Sequence, residues 1–552
     1  MTTPTGNSEG GGERGKSARQ GPGFERTQGA AFFVSLGILF SRVTGLVRQV
    51  MLARYLGTSM AADAFNAAFR IPNLLQNLFG EGVLSASFIP EYSGLLGRER
   101  HDDATHLAGA VAGMLALITS LIVLAGVIGA PFMVALIANG FTGEKRDLTI
   151  RLTRILFPGA GLLVFSAWCL GILNSHRRFF MSYAAPVLWN VAMVAALIGF
   201  HSGRSQVQLA VILAIASVVG SALQVAVQLP LVLSLARGVR PRLTAAAESV
   251  RNVFRNFIPA FIGRGVVQLS AYVDAWLASY LGNGAVSSFT YAQTIYVLPV
   301  SLFGMAISAA ELPAMSRAVG TDAEIAAYLR SRLNAGLARI AFFIVPCAIA
   351  LLALGDLIGY LLLQSGVWHQ RDTIWVWQIL AGSSIGLLAS TMGRLYSSTF
   401  YALRDTRTPL RFAAVRVILT TILGYFAALV LPGMLGIDPR LGAAGLTASA
   451  GIAGWIEFLL LRRALGKRIG ATGLSKALAA QLWLAAAGAA AIPWAYKLMG
   501  YAVSPKLVSF ALLAVYGLLY LGLTAAQGIP EARAVTARAR RLLTRTPRPS
   551  AP

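Results

Sequence analysis

Apolar runs recur along this chain from about residue 31 to residue 527, each long enough to cross a bilayer core as a helix. The pattern predicts about fourteen spans: 31–56, 62–90, 105–138, 149–174, 179–201, 206–236, 252–281, 284–313, 326–362, 374–402, 410–434, 441–464, 477–499 and 505–527. A transmembrane β-barrel would alternate with period two over about ten residues, and no such alternation runs through the chain. The fold class is therefore all-α, a polytopic membrane protein.

The first two spans are not plain anchors. FSRVTGLVRQVMLARYLGTSMAADAFNAAFRIPNLLQNLFGEGVLSASFIPEY, from Phe40 to Tyr92, carries Arg42, Arg48, Arg54, Asp63, Arg70, Gln76 and Glu81 within apolar helices. An ionised group at bilayer depth costs roughly 2.5–3.5 kcal/mol even on the lenient insertion scale, so such groups face a wet cavity or a partner. Arg42 and Arg48 are six residues apart, which separates them by roughly 120° on an ideal helix. One cavity receives both only if it is wide or the helix bends near Gly45.

Charge placement gives topology. The cations sit mostly in alternate loops: Arg98 and Arg100; His176 to Arg178; Arg237, Arg240, Arg242 and Arg251; Arg404 and Arg407; Arg462, Arg463, Lys467 and Arg468. Loops 57–62 and 281–285 hold none, and Glu144-Lys145-Arg146-Asp147 sums to zero. The positive-inside rule puts both termini in the cytoplasm and requires an even number of spans. The net charge of +25 is thereby accounted for by topology and anionic lipid headgroups, with no nucleic acid partner.

The chain also repeats itself. Leu52-Ala53-Arg54-Tyr55-Leu56-Gly57 recurs as Leu277-Ala278-Ser279-Tyr280-Leu281-Gly282, and Phe79-Gly80, Ser85-Ala86 and Pro90 recur as Phe303-Gly304, Ser308-Ala309 and Pro313 at nearly the same offset. A second echo pairs Leu173-Asn174-Ser175-His176-Arg177 with Leu403-Arg404-Asp405-Thr406-Arg407. Two six-helix lobes in parallel repeat, plus two C-terminal helices, follow from this, with a midplane cavity between the lobes. The expected divisions are a disordered basic tail at 1–28, an N-terminal lobe at 29–240, a C-terminal lobe at 241–468, the last two spans at 469–527 and a basic tail at 528–552.

Chemistry by this chain is not indicated. There is no Walker A sequence, no HExxH, and no nucleophile–base–orienter set, and the two cysteines, Cys169 and Cys347, lie in apolar runs. No cofactor is expected. What remains is intramembrane charge: Arg42 and Arg48, Arg264 in span seven, Arg394 in span ten, and Asp274. A cluster of guanidinium groups in a low-dielectric cavity suits a phosphate-bearing ligand, because the planar fork matches phosphate oxygens and stays charged.

Ser41-Arg42-Val43-Thr44-Gly45-Leu46-Val47-Arg48, Ala53-Arg54-Tyr55-Leu56-Gly57, Ala62-Asp63-Ala64-Phe65, Ile71-Pro72-Asn73-Leu74-Leu75 and Ser87-Phe88-Ile89-Pro90 resemble the N-terminal signature of the MurJ/MviN family. Phe400-Tyr401-Ala402-Leu403-Arg404-Asp405-Thr406-Arg407-Thr408-Pro409 resembles its second hallmark. These are lipid II flippases of the MATE-like superfamily, and the resemblance implies alternating access and export of the undecaprenyl-pyrophosphate-linked peptidoglycan precursor. It also implies substrate-binding roles for Arg42, Arg48 and Asp63, and a matching basic position at Arg394. Gln76 and Thr294 stand where the family has arginines, and Arg264, where it usually has an uncharged residue, is expected to restore positive charge. Some members bind sodium in the C-terminal lobe. Asp274 resembles one ligand, but Thr420 and Gly424 occupy two other ligand positions, so no metal is assigned and Asp274 is a weak sodium candidate. The alternatives are an exporter of another polyprenyl-linked saccharide or a drug, and a non-transporting scaffold for envelope enzymes; the partners implied are lipid II, membrane lipids and cell-wall synthesis proteins.

Overall fold

The computed structural model describes residues 40–79, 84–243, 250–253, 255, 257, 272–499 and 506–543. Helix α1 covers 40–56. It is followed by α2 (Met60–Phe79), α3 (Ser85–Gly97), α4 (His101–Ile128), α5 (Ala130–Ile137), α6 (Gly143–Ser175), α7 (Phe179–Phe200) and α8 (Gln206–Leu235). The second half runs α9 (272–279), α10 (Ala285–Pro299), α11 (Ala306–Ser316), α12 (Asp322–Ala353), α13 (Gly355–Leu363), α14 (Gln370–Ala402), α15 (Arg407–Tyr425), α16 (Leu431–Leu435), α17 (Gly442–Ile469), α18 (Lys476–Leu498), α19 (Lys506–Ala526) and α20 (Pro530–Leu543). Among the described residues there is no strand.

Eleven described helices, some made of joined segments, are long and apolar enough to cross a membrane. They match expected spans three to six and eight to fourteen. The first, second and seventh expected spans fall on α1, α2–α3 and α9, each of which adjoins residues outside the description.

Two expected spans prove to be broken. The run at 105–138 divides at Gly129 into α4 and α5, and the run at 326–362 divides at Leu354 into α12 and α13. Pro131 in the first turn of α5 has no N–H to continue α4. At the second break, a Cβ on Gly355 would lie 2.5 Å from Trp377 Cδ1, so only glycine lets the chain turn there. Neither break interrupts the apolar run, which is why hydropathy reads each as one helix.

The breaks recur at matching places in the two lobes and so extend the repeat. Helices α6 and α14 that follow them are each 33 residues long. Both end the same way: Arg177 and Arg404 take positive φ, 60° and 59°, and the next N–H bonds back, Arg178 to Leu173 O at 2.8 Å and Asp405 to Phe400 O at 2.9 Å. This is a left-handed helix stop built without glycine. The backbone thus pairs Arg177 with Arg404, and Leu173 with Phe400. The echo that aligned Leu173 with Leu403 is out of register by three residues, since it matched letters rather than the helix stop.

Within each lobe the helices pack through small residues, as expected where lipid supplies no hydrophobic drive between them. A Cβ on Gly386 of α14 would lie 2.5 Å from Gly451 Cα of α17. Helices α18 and α19 attach to the C-terminal lobe by a specific device. Pro346 inside α12 removes the N–H that would have bonded the Phe342 carbonyl. Tyr520 of α19 donates its hydroxyl to that carbonyl at 2.7 Å, and Tyr516 donates to Pro346 O at 2.7 Å. After α19 the chain re-enters helix as α20, within the stretch expected as the basic tail 528–552; Ile529 and Ala532 are buried against the bundle.

Candidate functional site

The hairpin α1–α2 meets α9 and α10 of the other lobe along a seam, and the seam is sealed at the end away from the arginine-rich loops. Apolar side chains close it first: Leu52, Leu56, Phe65, Leu277, Val286 and Phe289 belong to one buried cluster that crosses between the lobes. Polar bonds then lock it. Gly284, with φ of 89°, opens α10 and leaves its first N–H groups without helical partners. Asp63, fully buried in α2, accepts from Gly284 N at 2.7 Å and Ser287 N at 2.8 Å. Its charge is matched by Lys145 of α6, whose Nζ lies 2.6 Å from Asp63 Oδ2 and also donates to Gly282 O. Thr58 donates to Asp372 Oδ1 at 2.7 Å, Tyr291 to Gly57 O, Val367 N to Arg54 O, and Gly140 N to Ser279 Oγ.

Asp63 was expected among the substrate-binding residues. Here both of its oxygens are engaged inside the protein, so in this conformation it caps the opposite lobe's helix and holds the seam shut. Lys145, its counter-charge, sits in the loop segment whose charges sum to zero; the sum hides one lysine that turns inward.

Toward the basic end, arginines of the N-terminal lobe reach the same helix of the partner lobe. Arg42 is exposed and donates from Nη1 to Ser301 Oγ at 3.0 Å. Ser301 lies in a π-helical turn, Val300–Met305, that joins α10 to α11 and follows Pro299; such turns reposition side chains within a helix. Arg70 of α2 donates to Thr290 Oγ1 at 3.2 Å, its guanidinium stands 5.6 Å from the Phe289 ring centre, and Tyr272 donates to its carbonyl. Thr294 sits one turn along from Thr290 and bonds back to its carbonyl at 3.0 Å. Arg42, Arg70, Thr290, Thr294 and Ser301 therefore share the seam. Arg70 was not among the expected site residues; its spacing of seven from Asp63, two turns along the same helix face, is the signal that marks it.

Arg48 does not join them. Its guanidinium stacks over Trp189 at 4.8 Å and Phe69 at 5.6 Å, with Nε and Nη1 buried and without hydrogen-bond partners. The same two aromatic rings line a small pocket of about 20 Å³ inside the N-terminal lobe. The roughly 120° between Arg42 and Arg48 is thus expressed as two destinations rather than one wide cavity. Arg394 is exposed on α14, on the helix face that also carries Ser390 and Tyr401. Arg264 lies outside the described residues, and so does the side chain of Gln76.

The C-terminal lobe has its own cavity, about 150 Å³, lined among others by Asp274, Gln293, Tyr296, Ser383, Ser390 and Arg416. Tyr296 and Ser390 hydroxyls bond at 3.0 Å, and Arg416 Nη1 donates to Glu457 Oε2 at 3.1 Å. Asp274 Oδ1 and Thr420 Oγ1 are buried without partners. The charges that act on Asp274 are the guanidinium groups of Arg70 and Arg416. Among the described residues no three His, Cys, Asp or Glu side chains are grouped to hold a metal. A sodium ion in this cavity would share its wall with the Arg416 guanidinium.

The second sequence hallmark is a structural joint. Asp405 accepts from Arg407 N and Thr408 N at 3.0 Å, from Thr408 Oγ1 at 2.7 Å and from Arg468 Nη2 at 2.7 Å. The Thr408 backbone and hydroxyl bonds, with Arg468 beside them, hold its carboxyl down at about 2.

Two matched helical lobes meeting at a charged seam are the architecture of a membrane transporter. The chain belongs to the family of the lipid II flippase MurJ, whose family model matches residues 52–517. It is 33% identical over 446 residues to the lipid II flippase MurJ of Burkholderia cenocepacia, covering 80% of this chain and 84% of that one. It is 32% identical over 431 residues to a probable lipid II flippase MurJ of Rhizobium meliloti, covering 77% of each. A solved lipid II flippase MurJ in an inward closed conformation superposes with a TM-score of 0.74 at 22% identity, over 90% of this chain and 98% of that one. An inward-facing multidrug resistance MATE transporter follows at a TM-score of 0.60, 16% identity, and 79% and 98% coverage. The family is one of transporters, not enzymes, and places the chain as a multi-pass inner membrane protein.

Proposed function

We propose that this protein moves lipid II from the cytoplasmic to the periplasmic leaflet by alternating access, for peptidoglycan synthesis. The observation that carries the reading is the seam itself: Arg42 and Arg70 extend from one lobe to hydroxyls of the other, while the far end is closed by the Asp63–Lys145 lock. Hydroxyl partners are weak holders of a guanidinium compared with a pyrophosphate, so a phosphate arriving between the lobes exchanges neutral bonds for charge-assisted ones. With both termini in the cytoplasm, as loop charge directs, the locked end is periplasmic. Rocking of the lobes about the seam would then break the lock and release the headgroup outward. The polyprenyl tail remains in lipid throughout.

Gln76 and Thr294 replace two arginines that the family resemblance leads one to expect. Arg70, one helix turn and a half before Gln76, supplies a guanidinium to the same seam. Membrane potential, inside negative, favours outward transfer of anionic charge by about 2.3 kcal/mol per charge per 100 mV.

The test is complementation of a bacterium depleted of its own lipid II flippase. The chain is expected to restore growth, and Arg42→Ala and Arg70→Ala are expected to fail while reaching the membrane in normal amount. Growth restored by Arg42→Ala to the wild-type level would count against the seam as the substrate path.

A further inference from the structure

The charged groups around the C-terminal-lobe cavity balance without an added ion. Asp274 on α9 and Arg416 on α15 line that cavity together; Arg416 also bonds Glu457 on α17, and Arg70 on α2 acts on Asp274 from the N-terminal lobe. Arg416 sits one turn before Thr420 and two turns before Gly424, the two places where the resemblance to sodium-binding members fails. At Gly424 a Cβ would lie 2.9 Å from Leu446 Cδ1 and 3.2 Å from Leu277 Cδ1, so an acidic side chain there would have to push two leucine ends aside. Loss of the expected asparagine and acidic positions and gain of a guanidinium therefore occur on one helix, α15.

We infer that Arg416 is a tethered cation: it neutralises the C-terminal-lobe carboxylates from within the chain, so this protein takes no sodium there. The guanidinium holds Glu457 by a direct bond and attracts Asp274 across the cavity, where the free Asp274 oxygen has no other partner. A sodium ion entering would meet that oxygen and the hydroxyls of Tyr296, Ser383 and Ser390, but also the fixed positive charge of Arg416 on the same wall. Electroneutrality of a buried cluster is set by the groups that cannot leave it. Here the cation cannot leave.

The experiment compares melting of the purified full-length protein in sodium chloride and in choline chloride at equal ionic strength, a readout independent of whether lipid II is the substrate. The wild-type protein is expected to melt at the same temperature in both. Arg416→Gln removes the cation from the cavity wall beside Asp274 and the partner of Glu457, and is expected to gain a sodium-specific rise of about 2 °C or more. Arg416→Gln with Asp274→Asn should lose that gain. Stabilisation of the wild-type protein by sodium over choline would overturn the inference, and so would a folded Arg416→Gln variant indifferent to sodium. If Arg416→Gln alone gives no folded protein, removing the Asp274 charge with it is expected to restore folding; failure of the double variant to recover would equally overturn it.

Discussion

At the residue scale, the same charge type serves different ends according to what surrounds it. Asp63 and Lys145 are desolvated together, with side chains 0% and 9% exposed, so removing one strands the other. Asp63→Asn should destabilise the protein by about 3 kcal/mol or more, whereas Asp63→Asn with Lys145→Met should recover much of that loss; chemical or thermal unfolding of the four proteins of the cycle measures it. Asp405 behaves differently because it is solvated at a loop. Its folded value near 2 lies below the ordinary carboxylate value of about 3.9, so its contribution is fully present above roughly pH 4 and is lost as pH falls toward 2. Melting temperature of the wild-type protein should therefore fall across that window by more than that of Asp405→Asn, and parallel curves would refute the assignment. Side-chain destinations of this kind were only partly legible in the chain. Intramembrane charge announced Arg42 and Asp63 as special, since bilayer depth makes any ionised group costly. It did not say that Arg48 would turn to Trp189 or that Asp63 would cap a helix of the other lobe, because those partners lie far along the chain, one of them in the other lobe.

At the scale of elements, the spans were legible because lipid demands long apolar runs, and the repeat was legible because α1 and α9 share LAxYLG at their ends. What hydropathy does not register is a break that stays apolar. Gly129 and Leu354 each end a helix without a polar residue, and the π-helical turn at Val300–Met305 changes the facing of Ser301 without changing composition. The docking of α19 on α12 is equally silent in pattern, since it depends on Pro346 freeing one carbonyl and on Tyr520 reaching it. Tyr520→Phe leaves the Phe342 carbonyl buried without a donor and should cost about 1–3 kcal/mol, read as a lowered melting temperature with the fold retained. A tyrosine replacement at an exposed lipid-facing position serves as the comparison.

At the scale of the molecule, transport requires that the lock at one end of the seam open while the lobes stay intact. The contacts across the locked end come from α1, α2 and the loops beside them on one side, and from α10, α14 and the loop before α14 on the other. No disulfide crosses them, so rigid-body rocking has to break these bonds, those of Lys145 and Gly140 to the loop and helix before α10, and the apolar cluster beneath them. Thr58 and Asp372 offer a direct test, because their side-chain oxygens lie 2.7 Å apart across the seam. Thr58→Cys with Asp372→Cys, in a chain lacking Cys169 and Cys347, should form a disulfide under mild oxidation. Asp372 also accepts from His369 N at the start of α14, so the reduced variant is the proper reference, and it must complement before the oxidised form is judged. Oxidation should then abolish flipping in reconstituted vesicles, and reductant should restore it. Transport by the cross-linked protein at the rate of the reduced one would mean that lipid passes without opening this end, and alternating access about the Asp63–Lys145 lock would have to be abandoned.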